Sequence, residues 1–101
     1  MPARLVAPAL LALLIGCQSE GRVSGVLIGV EATTISRADA FTLRSDDGAE
    51  RRFVVSAEAD RSGHPPSPGH LRQHMTYGDR VTVRYREDKD GLFALEVIDA
   101  S

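Results

Sequence analysis

The sequence predicts a mainly β fold: five short strands wrapped into a small barrel, with one short helix between strands 3 and 4. Three observations carry this. Apolar and polar residues alternate with period two in several stretches, most cleanly along Asp79–Glu87. Two acidic segments, Ser45–Gly48 and Asp88–Gly91, end in a glycine, as hairpin turns do. One stretch only, Ser67 to Gly78, carries both a helix start and a helix stop.

The chain opens on a segment that reads as targeting rather than fold. Arg4 supplies a positive start. Leu5–Ile15 is uncharged and almost wholly aliphatic, with one proline at Pro8. Its eleven residues fall short of the roughly 20 that a membrane-spanning helix needs. The run ends in Leu14-Ile15-Gly16-Cys17, which holds the single cysteine of the chain. This motif resembles the lipobox of bacterial lipoproteins. The resemblance implies that the Cys17 thiol receives a diacylglycerol and that the chain is then cut before Cys17. It further implies a signal peptide over 1–16, a lipidated tether over 17–21 and a barrel domain over 22–101. The expected location is the cell envelope, on the extracytoplasmic side. Gln18 stands where an aspartate often signals retention in the inner membrane, so the outer membrane is favoured where the cell has one. The competing reading is an ordinary secretory signal with a chance cysteine.

Composition bounds the rest. The full chain has 101 residues and a formal charge of −2, which becomes −3 once Arg4 leaves with the leader. What remains is one small domain. It exceeds the roughly 40 residues below which disulfides or metals are usually needed as staples. With Cys17 acylated no thiol is left for a disulfide, so burial must hold the core. A weakly acidic chain does not seek nucleic acid or anionic lipid through net charge. Lys89 is the only lysine; arginine carries the remaining positive charge.

The first strand is expected over Arg22–Val30, with Val26, Ile28 and Val30 on one face and Gly25 and Gly29 on the other. Glycines inside a strand often mark the bends that a small closed barrel needs. The second strand, Ala38–Arg44, puts Phe41 and Leu43 inward. After the turn at Ser45–Gly48, Arg51–Ala57 puts Phe53 and Val55 inward. Asp60–Pro66 reads as a loop, broken by Gly63, Pro65 and Pro66. Ser67-Pro68 reads as an N-cap followed by proline at the first helical position. Leu71 and Met75 share a helix face, and Gly78 stops the helix. Asp79–Glu87 then points Val81, Val83 and Tyr85 inward. After the turn at Asp88–Gly91, Leu92–Ile98 groups Phe93, Leu95 and Val97.

Three strands, a short helix and two strands form an order similar to the OB-fold, a five-stranded Greek-key barrel. That resemblance implies a helix plugging one end of the barrel through Leu71 and Met75. The segments Gly25-Val26-Leu27, Gly78-Asp79-Arg80-Val81-Thr82-Val83 and Gly91-Leu92-Phe93-Ala94 also resemble uncharacterised secreted β-barrel domains of bacteria. This second resemblance implies a fold and a location, and no activity. The rival fold is another small barrel, such as an SH3-like one.

Three constellations are candidates for function. His70 and His74 lie four apart on the expected helix, a spacing that can chelate zinc or copper, and His64 just upstream offers a third ligand. Asp60 and Asp79 are the nearest acids in sequence. The plain reading makes the histidines the exposed flank of a packed helix. Arg80, Arg84 and Arg86 share the outward face of one strand, with Arg44, Arg51 and Arg52 on its neighbours. They offer a surface to an envelope protein, a glycan or a lipid headgroup. OB barrels that bind single-stranded nucleic acid add stacking aromatics, and most aromatics here are expected inward. Glu50, Glu87 and Glu96 can pair with the arginines across strands, which makes an ion-paired face the plain reading. Of the two acidic turns, Asp88–Gly91 resembles a fragment of a calcium loop, but Arg86 stands where a further acid is needed, and the plain reading makes both hairpin turns.

Catalysis finds no support. No free thiol nucleophile, Gly-x-Ser-x-Gly elbow or phosphate-cradling glycine loop is present. The sequence implies no cofactor. The expectation is a non-catalytic, lipid-anchored binding module, with a metal-binding lipoprotein as the alternative and an inhibitor of a host or rival hydrolase as a third reading.

Overall fold

The computed structural model describes residues 19–61 and 66–100. The leader, Cys17 and His64 lie outside the described residues. Five strands follow in order: β1 (Ser19–Glu31), β2 (Ala40–Ser45), β3 (Glu50–Val55), β4 (Arg80–Asp88) and β5 (Gly91–Asp99). A 3-10 turn at Ala57–Arg61 and one helix, α1 (Pro68–Tyr77), separate β3 from β4. The strands close into a barrel in the order β1-β2-β3-β5-β4. Every neighbouring pair is antiparallel except β3 and β5, which meet in parallel through Val54–Phe93 and Val55–Ala94. This is the OB-like barrel that the sequence predicts.

The barrel forms because alternate residues of each strand are apolar and point inward. Phe41, Leu43, Phe53, Val81 and Val83 are fully buried. Burying each such side chain contributes about 1.5–3 kcal/mol. Phe41 stacks on Phe53 at 5.6 Å and 28°. Tyr85 meets the other side of Phe53 at 5.6 Å and 55°. Leu71 from α1 completes this cluster, and Met75 packs against it half-buried. The helix therefore does what a barrel plug does.

Two strands depart from simple alternation. In β1 the inward residues are Val23, Leu27 and Val30, whereas Val26 and Ile28 are only half-buried and stand outside the core cluster. A bulge between Leu27 and Gly29 slips the register against β2, so Val30 turns inward as expected while Val26 and Ile28 do not. Gly25 shares the inward face because β2 passes very close. A Cβ there would lie 2.1 Å from the Arg44 carbonyl oxygen, a contact no side chain can make.

In β5 a second bulge leaves Leu95 as the extra residue between the pairs Tyr85–Ala94 and Arg84–Glu96. Leu92, Ala94 and Val97 consequently join the core. Phe93 turns away from it and lies under the Arg86 guanidinium, 5.1 Å from Cζ to the ring centroid. Leu95 is itself buried. The shared face expected for Phe93, Leu95 and Val97 is thus broken by one inserted residue.

β1 also begins earlier than expected. Ser19, Glu20 and Gly21 are already paired with Glu87, Arg86 and Tyr85 of β4. Only the β4 side of that segment is paired, since β2 joins β1 from Gly25 onward.

Candidate metal centre

The end of α1 is built to place charged and ligating groups together. Ser67 caps the start of the helix, its hydroxyl accepting from the His70 N–H at 3.3 Å. Gly78 ends it in the left-handed conformation, φ 69° and ψ 25°. The reversal sends the Asp79 N–H back to the His74 carbonyl at 3.0 Å. The Asp79 side chain therefore lies beside the ring it follows in sequence, with Oδ2 3.2 Å from His74 Nδ1.

His70 and His74, one helical turn apart, face each other edge to face with ring centroids 4.5 Å apart. Their Nε2 atoms are 3.0 Å apart. The third member comes from the far end of the chain. Hairpin pairing sets Asp99 opposite Val81, and Asp99 Oδ1 reaches His74 Nε2 at 2.9 Å. The ligating atoms of His70, His74 and Asp99 all lie within 4.8 Å of one another. His74 is the sheltered member, with 11% of its side chain exposed against 74% for Asp99.

The structure thus brings His70 and His74 together and adds Asp99, which sequence reasoning missed. Asp79 was expected nearby and is in contact. His64 and the side chain of Asp60 are outside the described residues. A signal for Asp99 was available in principle. The Asp88–Gly91 turn fixes the β4–β5 register, and carrying that register to the strand ends brings Asp99 close to Asp79.

No protein-family model, curated protein or solved structure matches the chain. The chemistry must therefore be read from the side chains themselves. Two imidazoles and a carboxylate suit zinc or copper better than calcium or magnesium, which prefer all-oxygen shells.

The arginines are arranged differently. Arg80 makes a two-pronged contact with Asp46, from Nε to Oδ1 at 3.3 Å and from Nη2 to Oδ2. Arg84 reaches Glu20, Glu58 and Glu96 at 3.4, 3.3 and 3.5 Å. Burial works against its charge, but the hydrogen bonds to Glu58 and Glu96 and the fields of Glu58 and Glu20 outweigh it and raise its pKa above the ordinary arginine value. Arg86 lies 3.6 Å from Asp88. Arg44, Arg51 and Arg52 do not lie on strands adjoining β4 as expected, because β1 and β5 flank it; they sit on β2 and β3, where Arg44 pairs with Glu50 at 3.5 Å. Arg51 lies 3.9 Å from Asp47. Arg52 grips Glu31 with two bonds of 2.8 and 2.9 Å. The Arg52 hydrogen bond holds the Glu31 carboxyl below its usual range.

The carboxylates of the two turns are aimed at their own backbone. Asp47 accepts from the Ser45 hydroxyl and from the Ala49 N–H. Asp88 accepts from the Asp90 N–H at 2.8 Å. These are hairpin turns stabilised by side-chain caps.

Proposed function

We propose that this chain is a lipid-anchored module of the cell envelope that works on the extracytoplasmic side by binding rather than by catalysis. The observation that carries the reading is Leu14-Ile15-Gly16-Cys17 at the end of an apolar run too short to span a bilayer. No helix among the described residues is long and apolar enough to cross a membrane. Two or more acyl chains would hold the protein stably, since each buried methylene contributes about 0.8 kcal/mol.

The start of β1 supports a particular orientation. Gln18 alone separates Cys17 from the first residue of β1. Ser19 pairs with Glu87, near the β4–β5 turn. That turn is then the end of the barrel held next to the bilayer. The other end of β4 carries Asp79, Arg80 and the histidines. It lies about 25 Å away at the usual strand rise of ~3.3 Å per residue. An anchor at Cys17 would turn the histidine end outward, toward an envelope protein, a glycan or a diffusing ion.

The test is chemical. The full chain, extracted from membranes in mild detergent, is expected to start at Cys17 and to carry the mass of a diacylglyceryl group. The Cys17→Ser variant is expected to lose that mass and to leave the membrane fraction in a salt wash. A variant that still partitions with membranes after the wash overturns the reading.

A further inference from the structure

We propose that His70, His74 and Asp99 bind one divalent transition-metal ion of the kind that takes imidazole, copper(II) or zinc, and that Asp79 positions His74 for it. The inference rests on the reading of the chain as a binding module and names its ligand.

Geometry comes first. In a tetrahedral site with metal–ligand bonds of about 2.0–2.1 Å, the ligand atoms sit about 3.3 Å apart. His70 Nε2 and His74 Nε2 are 3.0 Å apart, and His74 Nε2 and Asp99 Oδ1 are 2.9 Å apart. Both pairs need to open by only a few tenths of an ångström. The remaining pair, His70 and Asp99, lies within 4.8 Å and needs to close. Asp99 is free to do this because most of its side chain is in solvent.

Hydrogen-bond accounting points the same way. The carboxylate of Asp79 only accepts, so it keeps a proton on His74 Nδ1 and leaves Nε2 as the ligating atom. Nε2 of the same ring faces a second carboxylate and a second imidazole nitrogen. With Nε2 of His74 free of its proton, that atom, His70 Nε2 and Asp99 Oδ1 converge on one point, where a cation can be shared among them. The adjacent fixed cation does not supply it, because Arg80 is turned to Asp46. The two carboxylates beside the rings, Asp79 and Asp99, supply negative charge that a dication offsets.

Three segments contribute, and this distinguishes the site from a pair of surface histidines. The helix supplies both imidazoles, the turn after it supplies Asp79, and the last strand supplies Asp99. All three positions are fixed by backbone pairing and helix capping rather than by the side chains' own contacts. A third protein ligand with a solvent-facing fourth position suits an ion that exchanges, as catalytic and transfer sites do, more than a closed structural site.

The test uses the full chain in mild detergent, titrated calorimetrically with zinc chloride and, separately, with copper(II) sulfate. One ion per chain at micromolar affinity or tighter is expected for at least one metal. His70→Ala is expected to abolish binding in that range. His70 is exposed, so this variant avoids disturbing the core; unchanged circular dichroism checks that it folds. Asp79→Asn keeps the shape but weakens the orienting bond, and is expected to lower affinity by about 10–100-fold. Asp99→Asn is expected to weaken binding as well. The copper spectrum by electron paramagnetic resonance should show two nitrogen ligands in the parent chain, and this signal should be lost in His70→Ala. No binding of either ion at micromolar concentration overturns the inference. So does binding that Asp79→Asn and Asp99→Asn both leave unchanged, which would mean a plain histidine pair on a helix. A chain that is acylated at Cys17 but takes up neither ion loses this inference and keeps the anchor. A chain that binds one ion with a bare amino terminus does the reverse.

Discussion

The arginine pairs along the strands and the histidine end are both polar parts of one small barrel, and they balance charge in opposite ways. In the arginine pairs the cation is permanent. Arg84 sits among Glu20, Glu58 and Glu96, and Arg52 is gripped by Glu31 from two nitrogens. At the histidine end the carboxylates are just as close, but the groups they face are imidazoles, whose charge is optional. The first arrangement pairs permanent cations with protein carboxylates. The second sets carboxylates against rings that carry no permanent charge. Equal density of charged residues therefore does not mean equal capacity to bind.

The contrast can be broken most strongly from beneath. Leu71 and Pro68 are the fully buried side chains of α1, and Leu71 lies one residue from His70. Leu71→Ala leaves a cavity under the helix and should cost about 2–5 kcal/mol of stability in urea unfolding. Because the arginine pairs are held by strands, they should survive any loosening that disorders the histidines. Proton spectra should then show the imidazole signals broadened while those of the β2 and β3 residues stay sharp. Uniform broadening would mean that the two surfaces are not independently held.

A smaller effect probes the other side. Arg84→Met keeps the apolar stem and removes the charge. Arg84 is 30% exposed and its carboxylate partners more so, so solvent screens the pairs. The expected loss is at most about 1 kcal/mol. It should shrink further at high salt, where the Debye length falls to about 3 Å at 1 M. A deficit that salt leaves untouched would show that Arg84 acts through packing instead of charge.

Much of this architecture was readable from the chain, and the failures have a common cause. Hairpin turns, the Ser67 cap, the Gly78 stop and the inward set of Phe41, Phe53, Val81 and Val83 all follow from local chemistry. The two bulges do not. A bulge is one extra residue in a ladder, and no residue type announces it. Gly29 hinted at the first, yet the period-two reading still placed Val26, Ile28 and Val30 on one face, and the bulge parts Val30 from the other two. Nothing marked Leu95 as the second, and Phe93 was consequently turned to the wrong side. The candidate site divides along the same line. His70 and His74 were legible because helical spacing is local. Asp99 was not, because it is remote in sequence and arrives only through the pairing of β4 with β5, which helical spacing does not reveal.

The smallest expected effect concerns a carboxylate whose donors are a hydroxyl and a backbone N–H, groups that keep their protons throughout the accessible pH range. Asp47 accepts from the Ser45 hydroxyl and the Ala49 N–H, and these bonds, helped by Arg51, hold its carboxyl below the usual aspartate range. The unfolded chain offers no such donors, so its aspartate holds a proton more readily. Stability from this group is therefore fully present above the unfolded pKa and is lost as pH falls through the lower, folded one. Asp47→Asn should be slightly less stable than the parent at neutral pH, and the gap should close in acid. Urea midpoints measured from pH 7 down to below 3 would trace it. A gap that stays constant across that range would assign the contribution to the shape of the turn, and would leave the ionised carboxylate with no part in holding the β2–β3 hairpin.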